Sequence, residues 1–301
     1  METIRLIGKY ILSGRLQAIS AITFSTLISL LLLPEFIYLI NPFSYLICGS
    51  VVSLVTLRKG VFYTLQMLVL SWLILLILNK YIERSIQEVL IIWLPILLLS
   101  AILRFSQRQG TLVSLAGLGT IIFYITIGDL SEWWQEGLSI AFEQALPPEQ
   151  LEMYEPIFNS MTKLMNTLAV FYMLIAILFA RWWQSRLFNP GGFRKEFYAL
   201  RIPKAVLPIF ILTVVLVFTV DGSKQIMFMN ILVVFVFMYL IQGLSFAHRS
   251  VDKLKLSVSW LIILYCLLMF VPQMGLIIAC LGIVDTLTEW HNKKRGSEKE
   301  S

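Results

Sequence analysis

Six polar side chains lie inside or at the ends of long apolar runs, where amide and ionisable groups are costly and are therefore candidates for function. They are Gln66, Asn230, Gln242, His248, Gln273 and Asp285. The chemistry open to them is hydrogen bonding to a ligand, ion pairing, or proton binding at the histidine and the aspartate. We take Gln242, His248, Gln273 and Asp285 as the candidate ligand-binding set. The alternative for each is a hydrogen bond between neighbouring helices.

Three members of this set have a position that suggests a role. Gln242 comes shortly before His248 at the end of one apolar run. Gln273 follows Pro272 at a break in the last run, where freed backbone groups could bind a ligand. Asp285 closes that run, and we expect it to pair with either His248 or a loop arginine.

The motifs of catalytic proteins are absent from the sequence. It has no GxSxG, Walker or HExxH motif, and its only histidines are His248 and His291. The three cysteines stand singly in apolar runs, without metal-ligand spacing. We therefore expect no enzymatic activity, no metal site and no cofactor.

The elements that must position these residues are membrane helices. Apolar residues make up 58% of the 301, and charged residues only 14%, where a soluble domain averages about 25%. The excess apolar surface has to face lipid or other buried helices. The net charge of +6 is scattered over short loops, so we expect the lipid bilayer, and no nucleic acid, as a partner.

Apolar runs long enough to cross a bilayer predict an all-α bundle of about eight or nine spans, forming one integral membrane domain over residues 1–301. The runs are 16–33, 36–57, 61–79, 89–103, 111–128, 164–180, 205–220, 226–247 and 257–284. The last run is too long for one straight span and too short for two full ones. Because Pro272 interrupts it, it is either one kinked helix or a hairpin of two short helices.

Basic residues on alternate loops predict a cytoplasmic N-terminus. The longest outer loop, 129–163, carries seven acidic residues and no Lys or Arg before Lys163. The polar tail, 286–301, carries four basic residues beyond its start, at Lys293, Lys294, Arg295 and Lys299. Those charges favour the cytoplasm, and therefore favour the hairpin interpretation of the last run.

Two loops have amphipathic patterns. The outer loop, 129–163, is predicted to form either a lid over an outward-facing pocket or an inert interfacial connection. In the basic inner loop, 184–204, a short helix places Phe193, Phe197 and Leu200 on one face. That face either anchors to anionic lipid or docks a cytoplasmic partner. The candidate partner contacts in this loop are Phe193, Arg194, Phe197 and Arg201.

Small residues form a stripe on the first span. Gly14, Ala18, Ala21 and Ser25 make two overlapping pairs of small residues at a spacing of four. Such pairs allow two membrane helices to approach closely. The stripe is therefore a second candidate surface for contact with a partner, here another membrane subunit.

Five segments together resemble the YybS-like family of bacterial membrane proteins, a domain of unknown function. The segments are 14–18 (GRLQA), 54–60 (LVTLRKG), 193–201 (FRKEFYALR), 242–248 (QGLSFAH) and the stretch around Asp285. The resemblance extends from about residue 8 to residue 295. It implies a multi-pass protein of the bacterial inner membrane.

That family is in turn similar to the S components of energy-coupling factor importers, which bind vitamins and work with a partner membrane subunit and ATPases. The resemblance implies a component that binds a small molecule for uptake, with the stripe of Gly14, Ala18, Ala21 and Ser25 facing the partner. The alternative is a membrane scaffold or assembly factor that docks a cytoplasmic partner and transports nothing.

Overall fold

The computed structural model describes residues 2–32, 42–82, 89–126, 135–136, 162, 164–271 and 273–297. Every regular element in these ranges is helical, which confirms the all-α prediction. The α-helices are α1 (Glu2–Ser13), α2 (Arg15–Leu32), α3 (Ser50–Lys59), α4 (Val61–Ile82), α5 (Val89–Ser106), α6 (Gln109–Thr126), α7 (Met165–Phe188), α8 (Gly192–Tyr198), α9 (Val206–Thr219), α10 (Ser223–Lys253), α11 (Ser259–Phe270) and α12 (Gln273–Ser297), with a short turn, Pro42–Ser44, and a π-helical turn, Tyr45–Gly49, before α3.

The predicted apolar runs form helices wherever the structure describes them. Within the described ranges, five are long and apolar enough to cross a membrane: Val61–Lys80, Val89–Ser106, Gln109–Thr126, Met165–Phe188 and Lys224–Lys253. Four shorter apolar helices are Arg15–Leu31, Val206–Thr219, Ser259–Phe270 and Gln273–Thr288. The predicted outer loop, 129–163, lies outside the described residues apart from 135, 136 and 162.

The chain divides into two compact units, and the first comprises the described residues of Met1–Gln107 and Asp129–Phe193. Its centre is Trp93 on α5, which is fully buried and donates its indole N–H to the sulfur of Cys48 at 3.0 Å. On α7, Trp183 donates its indole N–H to the carbonyl oxygen of Ile4, at 2.8 Å. This bond ties the amphipathic α1 to the bundle.

The second unit comprises the described residues of Arg108–Gly128 and Arg194–Ser301, and α10 is its central helix. α6, α9 and α12 pack against α10. Phe210 of α9 meets two buried rings of α10 edge-on, Phe235 at 5.8 Å and Tyr239 at 5.5 Å between ring centroids. A long helix with apolar residues on several faces is thus covered on several sides, as expected of the core of a bundle.

The last apolar run is two helices and not one kinked helix. α11 ends at Phe270 and α12 begins at Gln273. Asp285 lies twelve residues into α12 and pairs with Arg249, four residues before the end of α10. The apolar residues of α12 that precede Asp285 lie alongside α10, and not beyond its end, only if the two helices have the same direction. α12 therefore runs parallel to α10, so α11 must carry the chain back between them. With 12 residues, α11 is about 18 Å long and cannot alone cross a hydrocarbon core of about 30 Å.

The hairpin predicts that the ends of α10 and α12 lie on the same side of the membrane. Cysteines introduced by Lys255→Cys and Lys294→Cys should react with a membrane-impermeant maleimide from one and the same side of sealed vesicles. A single kinked span would place the two cysteines on opposite sides, and labelling of that kind would contradict the parallel packing. Cys266 and Cys280 are replaced by serine in both variants, because both are exposed.

Candidate functional site

Asp285 on α12 is the centre of a buried polar cluster in the second unit. Its side chain is 7% exposed. Arg249 of α10 approaches one carboxylate oxygen with Nη2 at 2.5 Å, and Arg201, between α8 and α9, approaches the other with Nε at 3.3 Å. Of the two partners predicted for Asp285, the structure shows the loop arginine, Arg201, and adds a second arginine from α10.

Gln242 belongs to the same cluster, and both the nitrogen and the oxygen of its side-chain amide make hydrogen bonds. It is fully buried on α10. Its Nε2 donates to Asp285 Oδ2 at 3.1 Å and to Thr286 Oγ1 at 3.0 Å, while its Oε1 accepts from the backbone N–H of Ile202 at 3.0 Å. One side chain therefore links α10, α12 and the segment after α8.

The cluster forms because α10 and α12 touch backbone to backbone. A Cβ built on Gly243 would overlap the carbonyl oxygen of Ile278, and one built on Gly282 would overlap that of Tyr239. Only glycine allows helix axes to come this close. The close crossing brings the short carboxylate of Asp285 within reach of α10.

The electrostatics of the cluster are those of a shared ion pair. One carboxylate is shared by two guanidinium groups, which stay protonated at any physiological pH. The arginines also have backbone acceptors, since Arg249 Nη1 donates to Tyr198 O at 2.8 Å and Arg201 Nη1 to Leu200 O at 3.2 Å. Ion pairs and hydrogen bonds thus hold the segment after α8 against α10 and α12.

His248 lies apart from this cluster, in a group of aromatic rings. Its Nδ1 donates to the carbonyl oxygen of Leu244 at 2.9 Å, which places the ring proton on that nitrogen. Its ring meets Phe197 edge-on, with centroids 5.4 Å apart, and Tyr265 of α11 at 5.8 Å. His248 therefore packs between α8 and α11 and has no part in the carboxylate site.

Gln273 is also separate from Asp285. It is exposed at the start of α12, and twelve residues of helix place it about 18 Å from Asp285 along the axis. Of the four candidate ligand-binding residues, the structure brings together Gln242 and Asp285, and leaves His248 and Gln273 at two other places in the second unit.

The amphipathic α8 uses its apolar face on the chain's own α10. Phe197 contacts His248, its carbonyl oxygen accepts from Ser245 Oγ at 2.6 Å, and Leu200 is buried. Arg194 is exposed and pairs with Asp252 near the end of α10. Phe193 is half-buried, and its backbone N–H donates to Ser185 Oγ in the first unit, at 2.9 Å. The aromatic face is therefore occupied, and the charged residues are what α8 exposes.

The small-residue stripe of α2 faces its own unit. Ala18 and Ser25 are buried, Ala21 is half-buried, and Gly14 lies between α1 and α2. α2 packs on α4, where Ser71 Oγ donates to the carbonyl oxygen of Ile19 at 3.4 Å. In this structure Ala18 and Ser25 make contacts within the chain and are not open to a second protein.

A family profile described as "Predicted membrane protein (DUF2232)" matches residues 36–286. The chain belongs to the DUF2232 family. It is therefore a membrane protein, in agreement with its apolar helices. The matched region of this DUF2232 chain includes Gln242, Arg249 and Asp285 and excludes the stripe on α2. No curated protein and no solved structure matches the chain.

Proposed function

We propose that this DUF2232 protein is the small-molecule-binding component of an uptake system in the bacterial inner membrane. The observation that carries the proposal is the carboxylate of Asp285, buried between Arg201 and Arg249. Ionisable groups at membrane depth are expensive, and they mark pathways and switches in transporters. The role that we assign to this cluster is to hold one conformation of the second unit.

In this proposal the Asp285 cluster is an ionic lock at the cytoplasmic end of the bundle. Basic residues at the end of α10 and just after it, Lys253 and Lys255, support a cytoplasmic position for this end, as do those of the polar tail. The same rule supports a cytoplasmic N-terminus. Release of Arg201 from Asp285 would loosen the segment after α8 from α12, and a transport component needs an element of this kind with two arrangements.

The break between α11 and α12 also supports transport. Transporters bind their substrates at membrane helices that are discontinuous, because unwound backbone offers free N–H and carbonyl groups there. The break between Phe270 and Gln273 is such a discontinuity, and the exposed Gln273 begins the second helix. The ligand site is thus better sought at this break than at the closed Asp285 cluster.

The scaffold alternative has one observation in its favour. α11 has no buried residue, and apolar side chains such as Trp260 and Ile263 are exposed along it. Such a helix is free to pack against another membrane protein as well as against lipid. On the surface of α8 that was predicted to dock a partner, Phe197 packs against His248 of α10, whereas Arg194 stays exposed.

The test is ligand stabilisation of the protein purified in lipid nanodiscs. A broad panel of vitamins and other metabolites should contain at least one compound that raises the melting temperature. A ligand at 100 times its Kd adds about 2.7 kcal/mol, which corresponds to roughly 5–10 °C. Gln273→Ala should weaken that ligand, whereas Gln66→Ala should not. The uptake role would be refuted if no compound of the panel raised the melting temperature and mass spectrometry found no ligand bound to the purified protein.

A further inference from the structure

A polar cavity of about 340 Å³ lies in the first unit, where α3, α5 and α7 meet. Its polar lining consists of three arginines and two glutamines: Arg58, Arg104, Arg181, Gln107 and Gln184. Among the described residues, no aspartate or glutamate lines it. Positive charges that line one small space favour the binding of an anion there.

The packing of the three helices fixes two of these side chains. Ser100 of α5 donates to Ser53 of α3, hydroxyl to hydroxyl, at 2.9 Å. At the end of α3, the carbonyl oxygen of Leu57 accepts from Arg104 Nη1 at 2.5 Å and from Gln184 Nε2 at 3.2 Å. Arg104 and Gln184 thereby satisfy a free carbonyl of the helix terminus, and both are held in place at the wall of the cavity.

Arg104 and Arg58 keep N–H groups available in the cavity. In Arg104, only Nη1 donates to carbonyl oxygens, and these are the oxygens of Thr56 and Leu57. Its Nη2 and Nε make no hydrogen bond to any residue that the structure describes. Arg58 stacks its guanidinium over the ring of Phe188, 3.9 Å from the centroid. Stacking uses the face of a guanidinium and leaves the N–H edge available for an anion.

The remaining lining residues add to the same polar wall. Arg181 contacts the side-chain oxygen of Gln184, which is buried and therefore orients the guanidinium. Gln107 has a φ of +54°, a left-handed conformation that is uncommon outside glycine, just after α5 ends. Its N–H donates to the carbonyl oxygen of Leu103 at 2.9 Å, so this residue caps the end of α5 at the wall of the cavity.

We propose that this cavity binds a phosphate group, carried by a soluble phosphorylated molecule or by the headgroup of an anionic phospholipid. The planar forks of Arg58 and Arg104 match the oxygens of phosphate, and charge-assisted bonds of this kind are strong. A volume of 340 Å³ is at the small end for ligand pockets, which suits a phosphate with a short body. The site does not depend on the proposed uptake function, since it lies in the first unit and shares no residue with the Asp285 cluster.

The test compares two sources of phosphate in nanodiscs at constant ionic strength. In nanodiscs of phosphatidylcholine alone, inorganic phosphate and glycerol phosphate are titrated against the melting temperature, with chloride as the reference anion. In a parallel series, phosphatidylglycerol replaces a third of the phosphatidylcholine. Stabilisation by added phosphate identifies a soluble ligand, and stabilisation by phosphatidylglycerol alone identifies a headgroup; either result supports the site.

Arg58→Gln is the main variant, because Arg58 is exposed and caps no helix. It should raise the apparent Kd for phosphate, or for phosphatidylglycerol, at least tenfold. Arg186→Gln is the matched control, because Arg186 lies on α7 in the same unit and stacks on Trp182 outside this cavity. Equal weakening of phosphate binding by the two variants would overturn the proposal. So would a wild-type protein whose melting temperature neither phosphate source raises more than chloride does.

Discussion

Asp285→Asn should lower the free energy of unfolding by about 3 kcal/mol, at the low end of the range for breaking a buried ion pair. The substitution keeps the shape of the side chain but leaves two guanidinium groups without their carboxylate. The low end applies because Arg201 and Arg249 are 30% and 24% exposed, so water offsets part of the loss. The measurement is equilibrium unfolding in mixed micelles with increasing SDS.

Asp252→Asn is the matched control for this prediction. Asp252 also pairs with an arginine, Arg194, but the two side chains are 47% and 61% exposed. An exposed pair of this kind contributes about 0–1 kcal/mol. Equal losses in the two variants would mean that burial does not govern the Asp285 cluster, and would remove the physical basis of the proposed lock.

Gly243→Ala should destabilise the protein by about 2–3 kcal/mol, as overpacking in a close-packed core does. The added methyl group would overlap the carbonyl oxygen of Ile278, which cannot rotate away as a side chain can. α10 and α12 would have to separate, and Gln242 would then lose its hydrogen bonds to Asp285 and Thr286. The same unfolding titration measures the effect.

Gly119→Ala on α6 is the control, because a Cβ built there meets nothing within 4 Å. Alanine is a better helix former than glycine by about 1 kcal/mol, so this variant should be unchanged or slightly more stable. The two alanine variants should therefore shift stability in opposite directions. Stabilisation by Gly243→Ala would contradict the close contact of α10 and α12.

The helices and the central residue of the cluster were predictable from sequence. An apolar run of about 20 residues has to satisfy its backbone groups internally in lipid, so it has to form a helix. An aspartate that closes such a run is costly, so Asp285 was a candidate on its residue type alone. The partners of Asp285 were only partly predictable. In the sequence, Arg249 counted only as one of the basic residues of an inner loop. Asp285 lies 36 residues further along the chain, and no local pattern indicates that the two side chains meet.

The basic cavity of the first unit was not predicted from the sequence, because the positive-inside rule already explained its arginines. Arg58, Arg104 and Arg181 end three apolar runs, and the positive-inside rule accounts for each of them separately. Whether three such charges lie far apart or surround one cavity depends on which helix ends meet in space. No periodicity in the sequence contains that information.

The sequence by itself determined that this is an all-α membrane protein, that its last apolar run is interrupted, and that Asp285 needs a partner. These follow from hydrophobicity, proline and the cost of charge in lipid, which are local properties. Only the tertiary structure decided that the interruption is a reversal, that Asp285 lies between two arginines and not beside His248, and that Gln273 lies about 18 Å away along α12. The physical reason is the glycine contact at Gly243 and Gly282, since the crossing of two helices determines which distant side chains can reach each other.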